Sequence, residues 1–98
     1  MIWIDAHGDL NTPETSPSGN VHGMPLAAAL GRAPEWFRHD GLALPAVTAS
    51  RVALVGIRSL DPAERAYLRD ADIRVFTMSD IDRIGIERAV RELSLIHI

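Results

Sequence analysis

The chain has 98 residues, contains no cysteine and carries a formal net charge of −3 at pH 7. The lack of cysteine excludes a disulfide framework, a thiol nucleophile and a zinc site built on thiolates. The mild acidic balance gives no basic footprint, so we expect neither nucleic acid nor a membrane as a partner. No apolar run approaches the ~20 residues that cross a bilayer, and no signal-peptide pattern is seen, so the sequence predicts a cytoplasmic protein.

The first half of the chain is predicted to contain one strand, one long loop and one helix. Residues 2–4 (Ile, Trp, Ile) predict a buried strand, and because nothing precedes it we expect part of the core to lie outside these 98 residues. Residues 10–23 carry Asn, Thr, Pro, Ser or Gly at most positions and predict a long ordered loop. Residues 24–31 predict a helix that starts near Pro25. We expect Trp36 and Phe37 to pack locally.

The second half of the chain is predicted to alternate strands with helices. The predicted elements are a strand at 51–57, a helix from the N-cap Asp61 to about Asp70, a strand at 73–76, and a helix from Ser79 or Asp80 to about Leu93. Alternation of this kind predicts an α/β fold, in which a parallel sheet carries helices on both faces. No Gly-x-Gly-x-x-Gly or P-loop follows a strand, so a nucleotide-binding doubly wound domain is disfavoured.

Two carboxylates and an imidazole follow the first strand at alternate positions. In an extended segment Asp5, His7 and Asp9 would point to one side, at the carboxyl end of a strand, where open α/β sheets bind their ligands. This sulfur-free donor set suits a divalent ion such as Mn(II), and Zn(II), Fe(II) and Co(II) stay open. In the alternative interpretation both aspartates are turn or capping residues and His7 is an ordinary polar residue.

The polar segments of the chain resemble one enzyme family. Residues 5–11 (Asp-Ala-His-Gly-Asp-Leu-Asn) and 18–25 (Ser-Gly-Asn-Val-His-Gly-Met-Pro) closely resemble the arginases of the ureohydrolase superfamily, and the resemblance continues through 56–64 and 76–86. It implies a three-layer α/β/α fold and a cytoplasmic hydrolase of arginine metabolism and the urea cycle. The implied reaction is manganese-dependent hydrolysis of L-arginine to L-ornithine and urea by a metal-bridging hydroxide.

The same resemblance implies a role for ten residues. Asp5 would bridge two Mn(II) ions, His7 would ligate one ion and Asp9 the other. His22 would deliver a proton to the departing amine. The substrate-binding residues would be Asn11, Ser16, Ser18 and Asn20 near the α-carboxylate, with Asp61, and Glu64 through water, near the α-ammonium group. In the alternative interpretation these are loop formers, a structural histidine and a helix cap.

The chain departs from the family in what it lacks. Complete arginases supply a further histidine ligand upstream and two aspartate ligands downstream, so only half of the expected protein ligands occur here. We therefore expect residues 1–93 to be part of a single arginase-like domain, inactive alone, and residues 94–98 to be a tail foreign to the family. The resemblance also implies a homo-oligomer, a trimer or hexamer, at full length. Another ureohydrolase acting on a different guanidino compound, or a non-catalytic metal-binding or assembly fragment, stays open.

Overall fold

The computed structural model of the chain describes residues 1–32 and 45–97. In chain order the elements are β1 (Ile2–Ile4), α1 (Pro25–Ala29), β2 (Ala53–Ile57), α2 (Pro62–Asp70), β3 (Arg74–Thr77), α3 (Met78–Ile84) and α4 (Ile86–His97), with single 3₁₀ turns at Val21–Gly23 and Ala49–Arg51. The predicted packing of Trp36 and Phe37 lies outside the described residues. No helix in the described ranges has the length and apolarity to cross a bilayer.

The three strands form one sheet in the order β1-β2-β3, and both pairings are parallel. Ile2 is paired with Ala53, and Ala53 is paired in turn with Arg74. Because parallel strands end at the same edge of a sheet, the segments that follow the three strands lie side by side. The predicted parallel α/β sheet is therefore confirmed, and its carboxyl edge is the place where the polar segments meet.

Helices cover both faces of the sheet, as predicted. One face packs Leu54 and Ile57 of β2 on Leu10 and Leu26, with Tyr67 and Leu68 of α2 against this core. On the opposite face Ala53 and Val55 of β2 contact Phe76 of β3 and a buried stripe on α4, formed by Ala89 and Leu93. Neighbouring residues of β2 thus enter different cores, so both faces of this strand are buried, which is why it forms a continuous apolar run in the sequence.

The predicted single helix after β3 is wrong in its start, its continuity and its end. Thr77, not Ser79 or Asp80, is the N-cap of α3: the Thr77 N–H donates to the Asp80 carboxylate at 2.9 Å, and the Asp80 N–H donates to Thr77 Oγ1 at 3.1 Å. The hydrogen bond from the Thr77 N–H also holds the pKa of the Asp80 carboxylate below its usual value. The helix then breaks at Gly85 (φ 85°, ψ 151°), and α4 continues past Leu93 to His97.

Gly85→Ala is expected to lower the free energy of unfolding by about 1–3 kcal/mol, because the backbone there occupies a region that only glycine adopts without strain. A Cβ at this position would meet no atom within 4 Å, so the cost is one of backbone conformation. Urea unfolding measures it. Gly23→Ala is the control: Gly23 has no positive φ, and a change of about 0.5 kcal/mol or less is expected. Equal losses in both variants would contradict the prediction.

Candidate functional site

A pocket of about 160 Å³ opens at the carboxyl edge of the sheet. It is lined by His7, Asp9, Asn11, Ser16, Ser18, His22, Gly23, Asp61 and Glu64. Eight of the ten site residues predicted from the sequence therefore share one pocket, and Asp5 and Asn20 are the two that do not line it. A larger pocket of about 260 Å³ lies between the ends of β2 and β3 and contains none of the predicted residues.

The segment after β1 turns and does not stay extended. The backbone N–H of His7 donates to Asp5 Oδ1 at 3.0 Å, and the His7 ring Nδ1 lies 3.3 Å from the same oxygen. Asp9 has a positive φ of 52°, a conformation that aspartate tolerates better than most residues. The expected extended geometry is therefore wrong, although the turn still leaves Asp5 beside His7, and His7 and Asp9 in one pocket.

The pKa values of the Asp5 and Asp9 carboxyl groups are shifted in opposite directions. Burial, together with the negative charge of Asp5, raises the pKa of Asp9 to about 6. The backbone N–H and the ring of His7 hold the pKa of Asp5 below its usual value. The negative charge of Asp5 thus disfavours the charged form of Asp9, and a cation between the two carboxylates would relieve this repulsion.

The donor chemistry of Asp5, His7 and Asp9 fits a hard or borderline divalent ion, since it offers oxygen and imidazole nitrogen without sulfur. Within residues 1–32 and 45–97, however, no group of three or more His, Cys, Asp or Glu side chains is arranged to hold a metal ion. The three residues are thus a partial donor set, and their role as ligands stays a prediction.

Asp9 also fixes the start of α1 through its backbone. The N–H groups of Leu26 and Ala27 both donate to the Asp9 carbonyl oxygen at 3.0 Å. The first turn of a helix leaves such donors without partners inside the helix, and here the loop supplies the acceptor. Asp9 therefore joins the pocket to α1. No local pattern in the sequence predicts this contact.

Asn11 and Asp61 form a part-buried pair across the pocket wall. Asn11, only 4% exposed, donates from Nδ2 to Asp61 Oδ2 at 2.7 Å, and its Oδ1 accepts from Thr15 Oγ1 at 3.1 Å. The Asn11 amide thus already has partners at both ends. Thr15, which sequence reasoning did not single out, anchors the loop through this bond and by accepting from the Thr12 N–H at 2.8 Å.

Glu64 is the most deeply buried carboxylate of the pocket, at 4% exposure. Its Oε2 accepts from the Leu10 N–H at 2.9 Å and its Oε1 from the Asp61 N–H at 3.0 Å. The second bond is one half of a capping box at the start of α2. The spacing Asp-Pro-Ala-Glu is a signal for this motif that the sequence analysis overlooked.

The mouth of the pocket is formed by the loop before α1. Ser16 Oγ accepts from the Gly19 N–H at 2.9 Å, and Ser18 Oγ accepts from the Asn20 N–H at 3.2 Å, so both hydroxyls shape the loop that they line. Each hydroxyl retains its own hydrogen for donation. His22 is exposed in the 3₁₀ turn at Val21–Gly23 and also lines the pocket.

Trp3 is a further residue beside the site that was not predicted. Its indole N–H is buried and finds no hydrogen-bond partner within the described part of the chain. It lies close enough to the Asp9 carboxylate to lower its pKa, opposing the larger effect of burial. No spacing rule points to this contact, because Trp3 belongs to the buried strand pattern.

Fold and pocket together define an α/β domain that presents an acidic, hydroxyl-rich ligand site at the carboxyl edge of its parallel sheet. The model of the Arginase family matches residues 1–96 of the chain. The chain belongs to the arginase family.

Individual relatives agree with this family assignment. The arginase of Bacillus caldovelox is 48% identical over 92 residues, which are 94% of this chain and 31% of the relative. The crystal structure of arginase from Bacillus subtilis matches 98% of this chain and 33% of its own with a TM-score of 0.91 at 46% identity. Entamoeba histolytica arginase in complex with L-ornithine matches 99% of this chain and 32% of its own, with a TM-score of 0.85 at 38% identity. The chain therefore spans about a third of the length of these relatives.

Proposed function

We propose that this chain forms part of a manganese-dependent arginase, which hydrolyses L-arginine to L-ornithine and urea. The observation that carries the proposal is that His7, Asp9, His22, Asp61 and the loop hydroxyls line one and the same pocket. The similarity to the arginase of Bacillus caldovelox supports the reaction, and L-ornithine in the Entamoeba histolytica structure supports the amino-acid class of ligand.

Asp5, His7 and Asp9 would supply half of a binuclear Mn(II) site. When bound, divalent ions of this kind lower the pKa of water and so provide a strong nucleophile near neutral pH. Burial, together with the negative charge of Asp5, raises the pKa of Asp9 to about 6, and this unfavourable charge supports a cation at this place.

The other pocket residues would bind and orient the substrate. The Asp61 carboxylate is an acceptor for the α-ammonium group, and the Asn11 amide holds it in place at 2.7 Å. The hydroxyls of Ser16 and Ser18 are neutral donors for the α-carboxylate, with Asn20 beside them on the loop. This arrangement would fix the zwitterionic end of L-arginine and leave its guanidinium group toward Asp9.

His22 would move the proton. Loss of the leaving amine requires a proton on its nitrogen, and an imidazole is a side chain that can hold and release a proton under physiological conditions. The exposure of His22 at the pocket mouth supports this role, because the ring can recover its proton from bulk water.

The full-length protein would be a homo-oligomer, a trimer or hexamer, in the cytoplasm. Exposed apolar side chains mark surface that the rest of the full-length chain or another subunit would cover: Ile2 and Ile4 on β1 are 50% and 79% exposed, and Ile86 and Val90 on α4 are 54% and 47% exposed. Apolar patches of this kind mark surfaces that are covered by other protein.

The proposal is tested with the full-length protein that contains this chain, loaded with Mn(II). Urea release is measured with L-arginine, agmatine and other guanidino acids as substrates, and light scattering gives the oligomeric state. Urea from L-arginine is expected, with agmatine a poor substrate because it lacks the carboxylate. Preference for another guanidino compound would assign the chain to a different ureohydrolase, and no turnover of any substrate would reject the enzyme proposal.

A further inference from the structure

The buried carboxylate of Glu64 links two separate segments that line the pocket. One oxygen accepts from the Leu10 N–H at 2.9 Å and the other from the Asp61 N–H at 3.0 Å. With 4% of the residue exposed, water has little access to either oxygen. Hydrogen bonds to an ionised acceptor are stronger than neutral ones, so we expect this bridge to be stiff.

The two amides that Glu64 holds stand beside the residues that matter most for ligand binding. Leu10 lies between Asp9 and Asn11, and the second amide belongs to Asp61 itself. The Asn11–Asp61 hydrogen bond of 2.7 Å closes a ring that contains both segments. A shift of the Glu64 carboxylate would therefore move Asp9 and Asp61 relative to each other.

The backbone beside this bridge is packed without spare room. A Cβ added at Gly8 would lie 2.8 Å from Leu60 Cδ2 and 3.1 Å from Glu64 Oε2. The glycine between His7 and Asp9 thus allows the close approach of the Glu64 carboxylate to the turn. Contacts this close leave no space for a water between Glu64 and the turn.

We infer that Glu64 is a positioning residue, which fixes Asp9 and Asp61 through the Leu10 and Asp61 amides. This inference rests on the proposed function and adds a positioning role to the expectation that Glu64 receives the α-ammonium group through water. Each Glu64 oxygen accepts one backbone N–H and keeps a further lone pair. Glu64 therefore acts on metal and substrate together, through the geometry of the turn.

The test uses Glu64→Gln in the full-length protein. The amide keeps the size of the side chain but replaces one acceptor with a donor, so one of the two backbone N–H groups loses its partner. Removing an orienting partner of a ligand typically weakens metal binding about 10–100-fold. Mn(II) affinity, measured by isothermal titration, is therefore expected to fall at least about tenfold.

The substrate comparison separates this role from recognition of the ammonium group. Kinetics at saturating Mn(II) are measured with L-arginine and with argininic acid, in which a hydroxyl replaces the ammonium group. A positioning role predicts that kcat/KM falls for argininic acid as well as for L-arginine. An unchanged Mn(II) affinity with a loss confined to L-arginine would overturn the inference, as would a lower melting temperature with both parameters unchanged.

Two further variants keep the test decisive. If Glu64→Gln does not fold, Gly8→Ala pushes on the same bridge and should weaken Mn(II) binding in the same direction, whereas an unchanged affinity would count against the inference. Glu87→Gln is the matched control, since Glu87 is paired with Arg91 on the exposed side of α4. Mn(II) affinity is measured without turnover of a substrate. Failure of the proposed function would appear as no urea from the wild type, whereas failure of this inference would appear as an unchanged Mn(II) affinity in the variant.

Discussion

Asp9→Asn is expected to lower the urea-releasing activity of the full-length protein by more than about 100-fold, since loss of a direct ligand exceeds the 10–100-fold typical of an orienting partner. The carboxamide keeps the size of the side chain and removes its charge. Steady-state urea release and Mn(II) titration measure the effect. Asp72→Asn, at an exposed position outside the pocket, is the control and should leave both unchanged.

The same substitution should not destabilise the metal-free protein. Burial and the charge of Asp5 raise the pKa of Asp9 to about 6, so its negative charge opposes folding at neutral pH when no cation is bound. Removing that charge is expected to leave the urea concentration at the midpoint of unfolding equal or higher. Full activity would show that Asp9 is not a ligand, and a lowered midpoint would show that its charge does not oppose folding.

Leu54→Ala is expected to give the largest loss of stability, about 2–5 kcal/mol, which is the usual cost of truncating a fully buried leucine. Leu54 is 0% exposed at the centre of the middle strand and lies in the core shared by α1 and α2. Domains of ordinary stability have only about 5–15 kcal/mol in total. Urea unfolding of the wild type and the variant measures the difference.

Leu68→Ala provides the comparison for Leu54→Ala. Leu68 packs against the same core from α2 but is only partly buried, so its truncation leaves a space that water and neighbouring side chains can fill. A clearly smaller loss is expected. If both variants lost the same free energy, the depth of burial in this core would not govern its stability.

The strands and the site could be predicted because their signals are local. Apolar runs end abruptly at polar residues after β1 and β2, and parallel pairing then brings these polar segments to one edge of the sheet. Asp61 before Pro62 likewise announced the start of α2, which the structure confirms. The pocket that joins His7, His22 and Asp61 follows from this topology, together with the family resemblance.

The hydrogen-bond partners inside the site could not be predicted, because they are distant in sequence. Glu64 and Leu10 are 54 residues apart, and Asn11 and Asp61 are 50 residues apart. The apolar residues keep a helical spacing across Gly85, and this spacing predicted one helix where the structure has two. The turn at Asp9 depends on a positive φ, which no pattern of residue types specifies for aspartate.

Hydrogen bonds close the base of the loop at the pocket mouth, near Asn11 and Gly23, and they do not involve its tip at Ser18 and Asn20. The Asn11 N–H donates to the Gly23 carbonyl at 3.1 Å, and the Asp9 carbonyl accepts from Leu26 just beyond it. Adding or removing a residue near Ser18 or Asn20 would change the free energy of closing this ring by only about 0.1 kcal/mol. Selection can therefore alter the length of the tip, and with it the size of molecule admitted, while the anchored base keeps the fold intact.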